Sequence, residues 1–170
     1  MIATDKYTGL SAAQARELLA YDPDTGILTW KVTRSIRVRQ GAPAGHCRPH
    51  GYSYVCVNRG QYPSHWLAWL IHYGEWPATE LDHINGQRSD NRISNLRTVS
   101  RKQNQNNQRR AHSRNKLGVL GVSYCEKWHK YTASIGHNRK KIYLGGFNTI
   151  EEAHNAYLKA KRELHEGNTI

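Results

Sequence analysis

Residues 81–97 read LDHINGQRSDNRISNLR, and this stretch decides the local fold. Residues 81–84 and 96–99 have the pattern of two short strands, and Asn85-Gly86 is a strong signal for a tight turn. Residues 100–103, Ser-Arg-Lys-Gln, match a capping box, which satisfies backbone N–H groups at the start of a helix. The sequence therefore predicts two strands joined by a loop, followed by a helix that folds back across the hairpin, which together form a ββα unit.

The polar residues of this unit suit a site for a metal ion and a phosphate. Asp82 and His83 lie at the end of the first predicted strand, and Asn104 lies one turn into the predicted helix. Carboxylate and amide oxygens are ligands for Mg²⁺, which keeps several waters and takes further ligands from phosphate. His83 points away from Asp82 in a regular strand, so both reach one phosphate only if the strand ends and twists there. A neutral imidazole at that point is a suitable general base for an attacking water.

The charge of the chain favours a polyanionic partner. The 170 residues include 25 Lys and Arg against 13 Asp and Glu, which gives a formal net charge of +12. Residues 31–60 and 97–116 contain six and seven basic residues respectively, and neither stretch contains an acidic one. Long tracts of one sign that alternate with polar and aromatic residues are typical of surfaces that follow nucleic-acid phosphates. A basic protein with merely solvated charges is the alternative.

Composition also argues against several classes of protein. No apolar run approaches the roughly 18–20 residues that span a bilayer, and the first ten residues lack the pattern of a signal peptide. The three cysteines are odd in number and have no CxxC spacing, which argues against a disulfide framework and against a zinc site built on Cys. We therefore expect a cytoplasmic protein that does not contact a membrane.

The patterns on either side of the ββα unit predict an α+β protein of four parts. Upstream, a capping box at Ser11 and a helix over 64–73 accompany strand patterns at 27–32 and 51–57. Downstream, three short strands precede a helix that begins with a capping box at Thr149, which predicts a small antiparallel sheet packed on one helix. The predicted parts are an N-terminal helix and β-rich extension (1–62), the core that contains the ββα unit (63–110), a linker (111–116) and the sheet-and-helix module (117–170).

The stretch 81–97 with 100–104 resembles the HNH endonucleases, in particular the phage and intron-encoded homing endonucleases, over roughly 65–108. The resemblance implies a ββα-metal core in which His83 is the first His of the motif and the general base. Asn95 is then the middle Asn, which holds the hairpin loop together. Asn104 takes the place of the final His and binds the metal with Asp82, so the motif has the form His-Asn-Asn.

This resemblance implies a metal-dependent endonuclease that hydrolyses double-stranded DNA to 3′-hydroxyl and 5′-phosphate ends. The amide ligand favours Mg²⁺, with Mn²⁺ as a substitute, over catalytic zinc. A monomer would nick one strand and a homodimer would cut both, and a phage-encoded enzyme would act in the host cytoplasm. The nearby basic residues are expected to contact phosphates: Arg97, Arg101, Lys102, Arg109 and Arg110.

Residues 117–165 resemble the APETALA2/ethylene-response-factor type of DNA-binding domain. The resemblance rests on Gly121-Val-Ser-Tyr124, Lys127-Trp128, residues 131–135, residues 141–145 and Phe147-Asn-Thr149. It implies that the three-stranded sheet enters the major groove of DNA. The residues expected to face DNA are Ser123, Tyr124, Lys127, Trp128, Tyr131, Ser134 and Lys141.

Two readings of the residues stay open. The chain is interpreted as an endonuclease because Asp82, His83, Asn95 and Asn104 are all present. The alternative is a non-catalytic, sequence-specific DNA-binding protein or regulator with an inactive core. His65 is interpreted as a packed histidine of an aromatic helix, and a second role in the active site is left open.

Overall fold

The computed structural model of the protein describes residues 9–108, 111–112 and 114–165. The chain divides into two compact units, 1–101 and 102–170. Helices and antiparallel sheets occur in both, so the protein belongs to the α+β class, as the sequence predicts. Within the described ranges, every helix is too short or too polar to span a membrane.

The first unit contains three small antiparallel sheets: β1–β2, β3–β4–β5 and β6–β7. A short 3-10 turn lies between the last two strands. The elements are α1 (Ala12–Leu18), β1 (Leu19–Tyr21), β2 (Leu28–Trp30), β3 (His46–Cys47), β4 (Ser53–Val57), β5 (Gly60–Pro63), α2 (Ser64–Tyr73), β6 (Glu80–His83) and β7 (Leu96–Val99).

Local sequence explains where the helices of this unit begin and end. The capping box of Ser11 with Gln14 is present at the start of α1, which confirms that prediction. The helix over 64–73 has the predicted bounds and ends at Gly74, whose φ of 86° is the left-handed conformation that terminates helices. The helical pattern that begins at Ser11 did not predict β1. In the sequence Leu19 continues the apolar face of α1, but in the structure it pairs with Trp30 of β2.

One apolar core holds this unit together. It joins side chains of α1, the first two sheets and α2, and its buried members are Leu10, Ala15, Leu19, Leu28, Trp30, Val55, Val57, Tyr62, Leu67 and Leu70. The burial of such side chains stabilises a domain by about 1.5–3 kcal/mol each. The N-terminal extension therefore packs with α2 as one body.

The second unit contains a three-stranded antiparallel sheet in the order β10–β9–β8, with α4 against it. The capping box of Thr149 with Glu152 starts α4, as predicted. Gly121 lies so close under Tyr157 of α4 that a Cβ at this position would overlap the aromatic ring. The elements are α3 (Arg101–Asn106), which begins at the last residue of the first unit, β8 (Val122–Cys125), β9 (Lys130–His137), β10 (Lys140–Phe147) and α4 (Ile150–Leu164).

The turn between β9 and β10 differs from the prediction. The sequence predicts a turn at residues 136–138 because Gly136 favours one, but Gly136 pairs with Lys141 inside the ladder. The turn consists of Asn138 and Arg139, with φ values of 48° and 62°. Asn enters this left-handed region readily and starts the two-residue turns that match strand twist.

Candidate active site

The β6–β7 hairpin positions the two residues that the sequence singles out. Asp82 pairs with Arg97 across the hairpin, and His83 pairs with Leu96. His83 is the last residue of β6, and the chain turns at once, since the Gly86 N–H donates to the His83 carbonyl at 2.9 Å. β6 therefore ends at His83, as the sequence analysis required for Asp82 and His83 to reach one phosphate.

A side-chain hydrogen bond orients the imidazole of His83. The side chain is buried, with 4% of its surface exposed, and Nε2 lies 3.2 Å from Oδ1 of Asn91. Because an amide oxygen only accepts, Nε2 carries the proton and Nδ1 keeps its lone pair. Burial lowers the pKa of His83 below its usual range, while the Asn91 contact and the carboxylates of Asp82 and Asp90 act in the opposite direction. A neutral imidazole with an accepting Nδ1 is the form that a general base needs.

A cluster of aromatic rings supports this imidazole from the other side. The ring of His65 lies edge-on to that of His83 with centroids 5.0 Å apart, and Tyr52 lies 5.3 and 6.0 Å from the two rings. His65 is buried, and its Nδ1 has no hydrogen-bond partner among the described residues. Burial, aided by the nearby His83, lowers the pKa of His65 to about 3. His65 is therefore a neutral packing group at ordinary pH.

The loop of the hairpin is held by side-chain-to-backbone hydrogen bonds. Oδ1 of Asn95 accepts from the Asn85 N–H at 2.9 Å, and its Nδ2 donates to the Asp90 carbonyl at 2.8 Å. These are contacts of the kind that the resemblance assigns to the middle Asn. The guanidinium of Arg92, 2.6 Å from Asp90, together with hydrogen bonds from the Arg92 backbone and Asn85, lowers the pKa of Asp90 to about 2.

Asn91 is a site residue to which the sequence analysis gave no role. The turn at 22–26 braces its backbone: the hydroxyl of Tyr21, just before the turn, donates to the Asn91 carbonyl at 2.8 Å, and burial raises the pKa of Tyr21 to about 12. A Cβ at Gly26 would lie 2.6 Å from the Asn91 carbonyl carbon and 2.4 Å from the Arg92 nitrogen. The signal in the sequence that could have indicated this contact was the turn Asp-Pro-Asp-Thr-Gly at residues 22–26. Its glycine is needed because the backbone there touches the backbone of Asn91 and Arg92.

Asp82 is suited to a cation. Its side chain keeps 16% of its surface exposed, and Oδ2 accepts two hydrogen bonds from the Arg97 guanidinium, at 3.0 and 3.3 Å. An anionic oxygen that already attracts a positive group, at a place water can reach, fits a hard divalent ion. Among the residues that the structure describes, no group of three or more His, Cys, Asp and Glu forms a metal cluster. The predicted pair of one carboxylate and one amide is smaller than such a cluster, and its place at a metal stays a prediction.

The remaining predicted residues near the hairpin lie on α3 or beyond it. Asn104 is half-buried on α3, within the second unit, and its place at the metal stays a prediction. Arg101 and Lys102 are exposed at the start of that helix. Arg109 and Arg110 lie outside the described residues.

The residues that the sequence predicts to face DNA lie in different places on the second unit: on either face of its sheet, or in a turn after β8. By strand register, Ser123, Ser134 and Lys141 lie on the face opposite α4, with Ser123 bonded to Thr132 at 3.0 Å. Lys127 and Trp128 are exposed in a 3-10 turn after β8. Tyr131 packs against the core beside α4, and Tyr124, which pairs with it, is partly exposed on the same face. Tyr143, 59% exposed, pairs with Ser134 and lies on the same face, but the sequence analysis did not name it among the DNA-facing residues.

With this geometry in place, the chain was compared with known proteins. Residues 62–106 match the family model described as HNH endonuclease. The matched segment runs in sequence from β5 to α3 and includes the whole β6–β7 hairpin. The match supports a nuclease that acts on DNA, and HNH nucleases generally use a divalent metal. No curated protein and no solved structure matches the chain.

Proposed function

We propose that the protein is a metal-dependent DNA endonuclease of the homing type, with His83 as its general base. The observation that carries the proposal is the hydrogen bond between Nε2 of His83 and Asn91, inside the segment that matches the nuclease family. That bond leaves Nδ1 as the basic atom of a buried, neutral imidazole. The proposed reaction is hydrolysis of a phosphodiester bond in double-stranded DNA.

In this reaction the imidazole removes a proton from the attacking water. The water oxygen forms a bond to phosphorus, and its proton passes to Nδ1 of His83. The bond from phosphorus to the 3′ oxygen breaks, and that oxygen takes up a proton from solvent. The products are a 3′-hydroxyl and a 5′-phosphate. General-base catalysis of this kind contributes typically 10²–10⁴-fold to a rate.

Asp82 and Asn104 are the residues that would hold the divalent ion, Mg²⁺ or Mn²⁺. When bound, such an ion stabilises negative charge on the phosphate and on the departing oxygen. Arg97 already neutralises part of the Asp82 charge, so we expect this guanidinium to turn toward the phosphate when the carboxylate is engaged. Asn95 keeps the loop between the two strands in shape, and this loop follows directly after His83.

DNA recognition is proposed to reside in the second unit. The sheet face with Ser123, Ser134 and Lys141 lies opposite α4 and carries small polar and basic side chains, which suit base edges and phosphates. The exposed Trp128 offers an apolar surface at one end of β8. Arg97, Arg101 and Lys102 are proposed to hold the backbone near the cut. We propose a cytoplasmic enzyme that nicks DNA as a monomer or cuts both strands as a homodimer.

A plasmid-nicking assay tests the proposal. Supercoiled DNA is incubated with the full chain in Mg²⁺, in Mn²⁺ and in EDTA, and with the variant His83→Ala. We expect nicked circles with either ion and none in EDTA, and a loss of at least about 100-fold in rate for His83→Ala, the lower bound for a lost general base. His46→Ala, a change to an exposed histidine of β3, is the matched control and should nick at the wild-type rate.

The same assay decides against the alternative, a non-catalytic DNA-binding protein. If the wild type binds DNA but leaves plasmids intact with both ions, and also leaves intact a library of duplexes that covers many sequences, the enzymatic proposal is wrong. If His83→Ala nicks as fast as the wild type, another residue is the base.

A further inference from the structure

The second unit contains an open groove of about 810 Å³ at the turn of its long hairpin. The groove is lined by the end of the β9–β10 hairpin, by α3 and by His165, which lies just after α4. The groove lies wholly within residues 102–170, and of the residues that the sequence predicts to contact DNA it includes Lys102 and Lys141. The lining residues are Lys102, Gln105, Asn106, Gly136, His137, Asn138, Arg139, Lys140, Lys141 and His165.

The groove concentrates positive charge without compensation. Lys102, Arg139, Lys140 and Lys141 supply four cationic side chains, and none of its lining residues is acidic. Lys102 donates to the Oδ1 of Asn138 at 3.2 Å, so the helix is joined to the hairpin turn and the charges are held together. Like charges repel one another, so the arrangement is relieved when an anion binds between them.

His165 provides an independent sign that a ligand binds here. The residue is 7% exposed, and its Nε2 donates to the Gly136 carbonyl at 2.9 Å. Nδ1 is buried without a hydrogen-bond partner among the described residues. A buried polar atom of this kind calls for a partner. Because His165 also lines the groove, a molecule bound there would change the surroundings of its ring.

The backbone of the turn carries a further sign. Arg139 has a φ of 62°, a left-handed conformation that favours Gly or Asn over a long side chain. A glycine here would relax the turn, yet the chain places a guanidinium at its tip. Arg59 takes the same conformation, so the sign lies in the charge that Arg139 adds to the groove and not in the strain. Guanidinium groups bind phosphate with paired hydrogen bonds.

We infer that this groove binds backbone phosphates of DNA, as a second clamp beside the recognition face of the sheet. The inference rests on the proposed function, because it takes the DNA substrate from it. Lys141 belongs both to the open sheet face and to the groove, so a strand that lies on the sheet continues into the groove. A volume of about 810 Å³ exceeds what one small anion fills, so the groove suits a continuous backbone better.

The test uses Arg139→Gly in the full chain, with DNA binding measured in EDTA so that cleavage plays no part. We expect weaker binding and a slope of log affinity against log salt that is smaller by about one, the value for one lost phosphate contact. NMR signals of the His165 ring should shift when duplex DNA is added to the wild type and should shift much less in the variant. The melting temperature should stay the same or rise, because glycine relaxes the turn.

Arg59→Gly is a matched control, because Asn58-Arg59 forms a second two-residue turn with φ values of 47° and 66°, between β4 and β5. This variant loses the same charge at the same kind of turn, and its His165 signals should still respond to DNA. The inference is wrong if Arg139→Gly binds with an unchanged salt slope, or if inorganic phosphate shifts the His165 signals and DNA does not. Since binding is measured without metal, a wild type that binds through the groove but never nicks plasmids would refute the endonuclease and leave the clamp standing.

Discussion

At the scale of the residue, the site depends on two neighbours that face opposite ways. Asp82 and His83 are adjacent in β6, so a regular strand separates their side chains. The structure gives each its own partner, Arg97 for the carboxylate and Asn91 for the imidazole. The carboxylate therefore lies at a wetter position and the imidazole, whose pKa is lowered by burial, at a drier one, and the two proposed roles follow from these two environments.

Because His65 is buried, we expect the stability of the protein to depend on pH. Its pKa is about 3 in the folded protein and about 6.5 when exposed, so the unfolded chain binds more protons between these values. Stability should therefore fall as the pH falls from about 6.5 toward 3, by up to about 1.4 kcal/mol per pH unit. The variant His65→Phe keeps an aromatic ring but cannot titrate, and its free energy of unfolding, measured in urea from pH 7 to pH 4, should depend less on pH.

The control for this prediction is His72→Phe, which alters an exposed histidine of the same helix. It should keep the wild-type dependence on pH. The low pKa of Asp90 acts in the same direction but in a lower window, since its stabilising charge is lost only as the pH falls from about 4 to about 2. If His65→Phe retains the full wild-type slope between pH 6.5 and pH 4, the buried neutral imidazole is not the cause.

At the scale of the element, the turn at 22–26 and the loop at 90–93 act as one assembly. The Ile93 N–H donates to the Pro23 carbonyl at 3.2 Å, and Tyr21 donates to Asn91, so the N-terminal extension fixes the residue that orients the imidazole of His83. This contact joins residues about seventy positions apart.

Gly26→Ala tests this assembly. The new methyl group would overlap the backbone of Asn91 and Arg92, and alanine would be strained at a φ of 75°. The two effects together should destabilise the protein by about 2–4 kcal/mol. The displaced loop should also reduce nicking by the folded protein about tenfold or more, because His83 loses its orienting bond. Thermal melting and the rate of plasmid nicking, at a temperature where the variant is folded, measure the two effects.

The variant Gly41→Ala separates the effect of backbone strain from the effect of steric overlap with the loop. Gly41 has a φ of 80°, and a Cβ there would meet nothing within 4 Å. The variant should lose about 1–2 kcal/mol through backbone strain alone and should nick at the wild-type rate. Equal nicking by the Gly26→Ala and Gly41→Ala variants would mean that the turn has no part in positioning Asn91.

Local signals in the sequence predicted the elements well. The capping boxes of α1 and α4 and the bounds of α2 and β7 follow from short patterns, and all are present. Contacts between distant segments could not be predicted in this way. The pairing of β1 with β2 overrides a helical pattern, and the bond from Asn91 to His83 depends on how the loop closes. The turn at Asn138-Arg139 could not be predicted, because by composition alone Gly136 is the stronger turn signal.

At the scale of the whole molecule, the chain combines a hairpin inside the segment that matches the nuclease family with a sheet that we propose binds DNA. Each unit has its own apolar core, so each can be altered without loss of the other's packing. Chemistry in residues 1–101 and recognition in residues 102–170 should therefore respond to different substitutions. The proposed ligand role of Asn104 would make the division incomplete, since this residue belongs to the second unit by its contacts.

The paired change Ser134→Ala with Tyr143→Ala tests this division. Both residues lie on the face opposite α4, and neither belongs to the apolar core, so the sheet should stay folded. A randomised duplex library first identifies the sites that the wild type prefers. The variant should then prefer them less, by about tenfold, the effect of about one lost base contact at about 1.4 kcal/mol. Cutting of unrelated DNA should keep its rate, because His83 and Asn91 are unchanged. Tyr73→Ala, a change to an exposed tyrosine of α2, should keep the preference, and a paired variant that does so too would place recognition elsewhere in the chain.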